Sequence, residues 1–289
     1  MPLDASRSVP IYAFPGLGAF PELTHAISTR HGGVSAAPFA TLNLAWSVGD
    51  SAQNVVENHQ RLCDTLGLPV ESLVSPRQVH GCQVHYVGAE HRGTLVPGCD
   101  ALITDRPGVA LLLRFADCVP VLLYDPRRKA IGLAHSGWRG TVARVAGATV
   151  RAMAERFGSH PGELLAAIGP AIGPCCYEIG QDVLRGVENT FGRRSGLISL
   201  RQGPRAGQGG RPCTLPDWAD PSRQVESRSR TDSLHLDLWA ANARLLREVG
   251  VQSIESAGVC TFCHCDDYYS FRAESGSTGH HGAVICLRG

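Results

Sequence analysis

The 289-residue chain has no surplus of charge of either sign: 27 Lys and Arg stand against 26 Asp and Glu, for a formal net charge of +1. A surface built to hold a polyanion or an anionic membrane needs a basic excess, so the composition points away from nucleic-acid and membrane partners. Long apolar runs are also missing. The longest, residues 109–113 and 119–124, are strand-sized and far short of the about 18 apolar residues that a membrane helix needs. The N-terminus, Met1-Pro-Leu-Asp-Ala-Ser-Arg7, has no basic stretch followed by an apolar one, so it lacks the pattern of a secretory signal. No segment repeats. Eleven cysteines are present, but their odd number and irregular spacing are unlike the framework of a disulfide-stapled secreted domain. We therefore expect a cytoplasmic protein whose cysteines are mostly buried thiols, with a minority serving as metal ligands or nucleophiles. Balanced charge leaves small-molecule chemistry as the default.

What is present is an ordinary globular composition, 43% hydrophobic and 18% charged, on a chain long enough to bury one large core or two modest ones. Residues 23–28 read as a strand, followed by the turn Thr29-Arg-His-Gly-Gly-Val-Ser35. Residues 54–66 show helical spacing, with Asp50 or Ser51 as cap and Gly67 as stop. Residues 101–104, 109–113, 119–124 and 130–135 read as four strands, and the nearly continuous apolar runs among them predict strands covered on both faces. A long helix is expected over 140–157, then a strand over 164–168 leading into Gly169-Pro-Ala-Ile-Gly-Pro174. From 192 to 231 the pattern gives way to Arg, Gly, Ser, Pro and Gln, which reads as a solvated loop insertion. A helix over 235–249, a strand over 253–258 and a last strand over 283–287 complete the chain. Strands alternating with helices predict a layered α/β fold, with a tail over 1–22 and the catalytic domain over 23–289.

Reactive residues gather where the apolar strands end. The segments are Arg77-Gln-Val-His80-Gly81, Arg114-Phe-Ala-Asp117-Cys118-Val-Pro120 and Ala134-His135-Ser-Gly-Trp138-Arg139-Gly140, and strand ends are the usual place for ligand sites in such folds. Cys118 and His135 lie on runs joined by an Asp125-Pro126 turn, which brings those ends together. One thiolate and two imidazoles make a three-ligand zinc site with a fourth position open, the composition of a catalytic centre. Such a zinc lowers the pKa of a bound water toward about 7. The same pair can also work without metal, His135 acting as base to Cys118. Arg77, Arg114 and Arg139 beside these ligands suit phosphate or carboxylate binding. Cys260-x-x-Cys263-His264-Cys265 has the spacing of a small independent zinc knuckle, although no second pair follows it. Cys175-Cys176 read as packed thiols.

On these residues the sequence resembles the YfiH family, also called the laccase-domain or polyphenol oxidase family. The matching segments are Ser28-Thr-Arg-His-Gly-Gly-Val-Ser35, Thr41-Leu-Asn-Leu44, Arg77-Gln-Val-His-Gly81, Ala116-Asp-Cys-Val-Pro120, Ala134-His-Ser-Gly-Trp-Arg-Gly140, Gly169-Pro-Ala-Ile-Gly-Pro-Cys-Cys-Tyr-Glu178 and Leu236-Asp-Leu-Trp239. The resemblance implies a single-domain layered α/β/α sandwich with a mixed β-sheet and a zinc held by His80, Cys118 and His135. It also implies phosphorolysis of adenosine, inosine and methylthioadenosine, with deamination of adenosine, so that purine nucleosides and phosphate are the expected partners. Arg77, Arg114 and Arg139 are then expected at phosphate or ribose, Asn43 at a substrate hydrogen bond, and Asp117 behind a metal ligand. The older copper-oxidase label fits poorly, because one Cys and two His cannot build blue and trinuclear copper sites. A metal-free Cys/His amide hydrolase, acting on cell-wall precursors, is the alternative. Two departures stand out: the 192–231 stretch is longer than the family norm, and His280 stands where an arginine is usual, which is expected to shift substrate preference.

Overall fold

The structure, a computed structural model, describes Asp4, residues 7–201 and residues 233–289. Most of the 192–231 stretch read as a loop insertion lies outside the described residues. In chain order the first half comprises β1 (Ile11–Tyr12), α1 (Pro15–Gly18), β2 (Leu23–Ser28), α2 (Ala52–Leu66), β3 (Leu73–Pro76), β4 (Val84–Tyr86), β5 (Leu95–Val96), β6 (Ala101–Thr104), β7 (Ala110–Phe115), β8 (Val119–Asp125) and β9 (Ala130–Ser136). The second half comprises α3 (Trp138–Val142), α4 (Val145–Phe157), β10 (Leu165–Ile168), β11 (Glu178–Ile179), α5 (Gln181–Phe191), β12 (Ile198–Arg201), β13 (Ser233–Leu236), α6 (Leu238–Glu248), β14 (Ser253–Ser256) and β15 (His281–Leu287). Among the described residues no helix is long and apolar enough to cross a membrane.

Two six-stranded sheets carry the fold, in the orders β1-β2-β15-β7-β3-β5 and β14-β10-β8-β9-β6-β4; a three-stranded sheet β11-β13-β12 lies apart. Both large sheets are mixed. In the first, β3 runs parallel to β5 and β7 while β15 pairs antiparallel with β2 and β7. In the second, β14 and β4 join parallel to β10 and β6 around the antiparallel β8–β9 pair. Period-two alternation decides how these sheets stack. Leu111, Leu113 and Phe115 of β7 share one core with Leu122 and Tyr124 of β8 and Ile131 and Leu133 of β9. The intervening Ala110 and Leu112 turn outward to Leu62, Cys63 and Leu66 of α2. Val119, Val121 and Leu123 turn outward to Val145, Val150 and Met153 of α4 and Leu245 and Leu246 of α6. The expected layered α/β architecture is therefore present, with its central β layer doubled into two stacked mixed sheets between helices. Each fully buried leucine in these cores contributes about 1.5–3 kcal/mol.

Several expected boundaries move. The residues read as a tail enter the first sheet: Ile11 and Tyr12 pair with Ser28 and Ile27, and Phe14 and Leu17 are buried. The helix expected over 140–157 is two helices, broken at Arg144, whose φ of 65° is left-handed. Apolar spacing continues across that break, so periodicity does not reveal it. The helix expected over 235–249 starts at Leu238, where the Asp237 carboxylate accepts from the Ala240 N–H at 2.9 Å. His235 and Leu236 belong instead to β13, the middle strand of the third sheet. Its partner β12 places Ile198–Arg201 within ordered structure, although these residues fell inside the expected insertion. Gly67 does stop α2 in the left-handed conformation that glycine permits (φ 64°). Ser51 precedes the first turn, but its hydroxyl donates to Gln53 Oε1 rather than capping the helix.

Candidate active site

The β8–β9 pairing sets Pro120 opposite His135, so Cys118, just ahead of β8, comes beside the end of β9. On the other side of β9, β6 pairs Ala101 with Ala134. That register places Asp100 next to His135. Asp100 is fully buried, its carbonyl accepts from the His135 N–H at 2.7 Å, and its Oδ1 lies 2.8 Å from His135 Nδ1. The same carboxylate accepts backbone N–H bonds from Val79 at 3.1 Å, His80 at 2.9 Å and Gly81 at 2.6 Å. One buried carboxylate thus fixes the turn that carries His80 and the ring of His135 together. His80 itself sits at φ 59°, a conformation that needs such support in a residue with a side chain. The two imidazoles meet edge-on at 4.9 Å between centroids, and donor atoms of His80, Cys118 and His135 all lie within 4.8 Å of one another. A glycine makes the approach feasible: a Cβ on Gly137 would stand 2.7 Å from Cys118 Sγ.

The electrostatics are coupled. Burial pushes the Cys118 thiol up, but His135 and His80 outweigh it and bring the thiol down to about 7. Burial pushes His135 down, but Cys118 and Asp100 outweigh it and hold the imidazole up at about 9. Asp100, although desolvated, stays below its ordinary value because His135 and the backbone N–H groups stabilise its anion. With Nδ1 engaged by Asp100, Nε2 is the nitrogen of His135 left for a metal or a thiol.

This trio lies in a cleft of about 960 Å³, which Arg77, Arg114, Arg139 and Arg272 also line. Arg77 and Arg139 are exposed, and the Arg139 guanidinium lies 4.5 Å from the Trp138 ring centroid. Arg114 on β7 is 9% exposed and donates through Nη2 to the Pro76 carbonyl at 2.6 Å. Burial alone pulls it down to about 10, with no carboxylate among the described residues offsetting its charge. A cation so placed favours an anion in the cleft.

The structure therefore brings together His80, Cys118, His135 and the three expected arginines, but it reassigns two other residues. Asn43 is fully buried, and its amide is consumed internally. Its Nδ2 donates to the Ala45 carbonyl and to Asp50, while its Oδ1 accepts from the Ala45 and His280 N–H groups. Nothing remains of it for a substrate. Asp117, expected behind a metal ligand, accepts instead from Thr261 Oγ1 and the Arg272 N–H, each at 2.7 Å. The carboxylate on a histidine ring is Asp100, absent from the candidate residues although it immediately precedes β6. Arg272, which was not among the candidate residues, lies in a Gly-rich segment whose place in the fold is set by distant contacts. Its Nη1 donates to the Glu178 carbonyl at 2.9 Å.

A second group of donor atoms, those of Cys175, Cys176, Cys260 and Cys263, also lies within 4.8 Å of one another. The spacing within residues 260–265 therefore does not form a self-contained knuckle. His264 and Cys265 stand outside the group, and the two cysteines read as merely packed are inside it.

The family model described as multi-copper polyphenol oxidoreductase laccase matches residues 24–209 and 215–288. The chain is 36% identical over 282 residues to a protein of Geobacillus stearothermophilus named purine nucleoside phosphorylase YlmD, covering 94% of this chain and 93% of that protein. It is 38% identical over 282 residues to a purine nucleoside phosphorylase of Deinococcus radiodurans, covering 96% and 93%. The crystal structure of Bacillus licheniformis hypothetical protein YfiH superposes with a TM-score of 0.82 at 30% identity, covering 99% of this chain and 98% of that one.

Proposed function

The chain belongs to the laccase-like YfiH family, and from that premise we propose that it is a purine nucleoside phosphorylase working at a zinc centre held by His80, Cys118 and His135. The observation that carries this reading is the meeting of those three donors, within 4.8 Å, with Arg77, Arg114, Arg139 and Arg272 on one cleft. The names carried by the Geobacillus and Deinococcus relatives support it. The donor set suits zinc with one open position. It does not suit a laccase: among the described residues the metal-competent groups are this trio and four cysteines, which lack the many histidines that blue and trinuclear copper require. Zinc, when bound, supplies Lewis acidity at the reacting centre.

The arginines hold phosphate, Arg114 most firmly because its charge is buried and uncompensated. A phosphate oxygen bonds to C1′ of the sugar as the glycosidic C–N bond breaks, and the purine leaves with that electron pair and takes up a proton. Adenosine, inosine and methylthioadenosine are the substrates we assign, with a cytoplasmic setting. Adenosine deamination, in which water adds at C6 and ammonia departs, completes the reading. Asp100 keeps His135 oriented throughout.

The test uses protein of defined metal content. Cys118→Ala is expected to lose one zinc equivalent and phosphate-dependent release of purine and ribose 1-phosphate. Arg114→Met is expected to raise KM for phosphate about 10–100-fold, as loss of a charged hydrogen bond implies, with a smaller effect on deamination. Metal-loaded wild type that turns over none of the three nucleosides sinks the reading.

One observation favours a second reading. Cys118, His135 and Asp100 form a thiol, base and orienting carboxylate in sequence, with the thiol near 7 and the imidazole near 9, which is the logic of a cysteine hydrolase. Amide hydrolysis that survives chelation and stops on alkylation of Cys118 would establish it.

A further inference from the structure

We propose that Cys175, Cys176, Cys260 and Cys263 form a second, closed metal centre, a four-thiolate site for zinc or a similarly soft divalent ion, which fastens the wall of the cleft behind Cys118. This rests on the cysteine geometry alone and stands or falls independently of the reaction proposed above.

The four donor sulfurs lie within 4.8 Å of one another. Cys263 Sγ is 3.4 Å from Cys176 Sγ and 3.7 Å from Cys175 Sγ. A disulfide needs about 2.05 Å, so these separations are not bonds. Four sulfurs each about 2.3 Å from a central zinc stand about 3.8 Å apart along the edges of a tetrahedron, and the two separations from Cys263 are of that size. The pocket is shielded: Cys175, Cys176 and Cys260 are 7%, 7% and 5% exposed. Four protein donors leave no position for substrate, which is the signature of a structural site rather than a catalytic one. On binding a divalent ion the four thiols release four protons to solvent, leaving a net charge of −2 at the centre. The Gly173 N–H already donates to Cys260 Sγ at 3.2 Å, the kind of outer contact that stabilises a thiolate ligand. Gly173 is required for this closeness, since a Cβ there would lie 3.1 Å from Cys175 Sγ and 2.7 Å from the Trp239 ring.

The centre would join two loops that are remote in sequence. Ala171 bridges Cys260 in a short parallel contact, with N–H bonds from Ala171 to Val259 and from Thr261 to Ala171, each at 3.1 Å. These same loops grip Asp117: Ile172 N–H donates to its carbonyl at 2.9 Å, and Thr261 Oγ1 to its carboxylate at 2.7 Å. Asp117 is the neighbour of Cys118 and sits at φ 83°, so the clamp would hold the strained corner from which the first centre's thiol projects.

The experiment uses the Cys118→Ala protein, which disables the first centre and leaves all four cysteines untouched. Metal analysis after purification under reducing conditions is expected to find two equivalents in wild type and one in Cys118→Ala. Cobalt-loaded Cys118→Ala should show the intense thiolate-to-metal absorption of a four-sulfur site. In the wild-type background Cys260→Ser is expected to lose one equivalent and lower the melting temperature, while the cobalt spectrum of the Cys118 centre persists. The proposal is overturned if Cys118→Ala holds no tightly bound metal, or if mass spectrometry finds the four cysteines as disulfides in the native protein. A failed phosphorylase reading would look different, as two metals bound without nucleoside turnover.

Discussion

Asp100 Oδ1 lies 2.8 Å from His135 Nδ1, and both side chains are shut away from solvent, at 0% and 4% exposure. The pair sets which nitrogen of His135 faces Cys118, while three backbone N–H groups on the same carboxylate hold His80 in place. Asp100→Asn removes the negative charge and turns one acceptor into a donor facing donors. We expect zinc affinity at the first centre to fall about 10–100-fold, the usual effect of losing such an orienting partner, and turnover with it. Chelator competition measures the first and nucleoside assays the second. Unchanged affinity in a folded Asp100→Asn protein would remove Asp100 from the site.

Gly137 offers a cleaner steric test. Its backbone is extended (φ −71°, ψ 179°), so alanine is tolerated conformationally, but the added Cβ would lie 2.7 Å from Cys118 Sγ. Gly137→Ala should displace the thiol and lower metal occupancy and activity at least about 10-fold, since geometry near reacting groups is demanding. Its melting temperature should move little. Full activity in this variant would mean that Cys118 Sγ is not needed where it stands.

Acid should destabilise the fold through its buried histidines. Burial pushes His25 and His59 down to about 4, and burial with His280 and Arg30 nearby pushes His281 down to about 3. His25 Nε2 accepts from the Phe14 N–H at 2.9 Å, a bond that protonation abolishes. Because these folded-state values lie below the unfolded 6.5, their contribution is complete above about pH 6.5 and is lost progressively as pH falls from there to about 4 for His25 and His59 and about 3 for His281. At pH 5 each costs on the order of 2 kcal/mol, a large share of a typical stability. Denaturant midpoints should be flat above pH 7 and fall steadily below 6.5, and His25→Gln should flatten part of that slope. A midpoint that does not change between pH 7 and pH 5 would contradict the assignment.

Much of the candidate site was legible because its candidate ligands lie at the ends of apolar runs. Strands β6 to β9 were visible as such, and a short turn between β8 and β9 forces Cys118 toward His135 whatever else the chain does. The three arginines were legible for the same reason. Asn43 was not, because a side chain that satisfies its own loop and one that binds substrate have the same sequence signature. The break at Arg144 was hidden by apolar spacing that runs through it.

The sequence by itself determined the layered α/β class through local patterning, the family through its motifs, and the nearness of Cys118 to His135 through the short β8–β9 connection. His80 joined them only as the resemblance implied, because its place is fixed by Asp100 across the fold. Only the tertiary structure decided that the strands form two stacked sheets, because a strand covered by a sheet on one face and helices on the other reads like one covered by helices on both. Tertiary structure alone also chose Asp100 over Asp117 as the carboxylate on His135, through the pairing of β6 with β9. It alone joined Cys175 and Cys176 to Cys260 and Cys263. Those contacts close loops of more than eighty residues, and no local periodicity carries information over that separation; register and packing do.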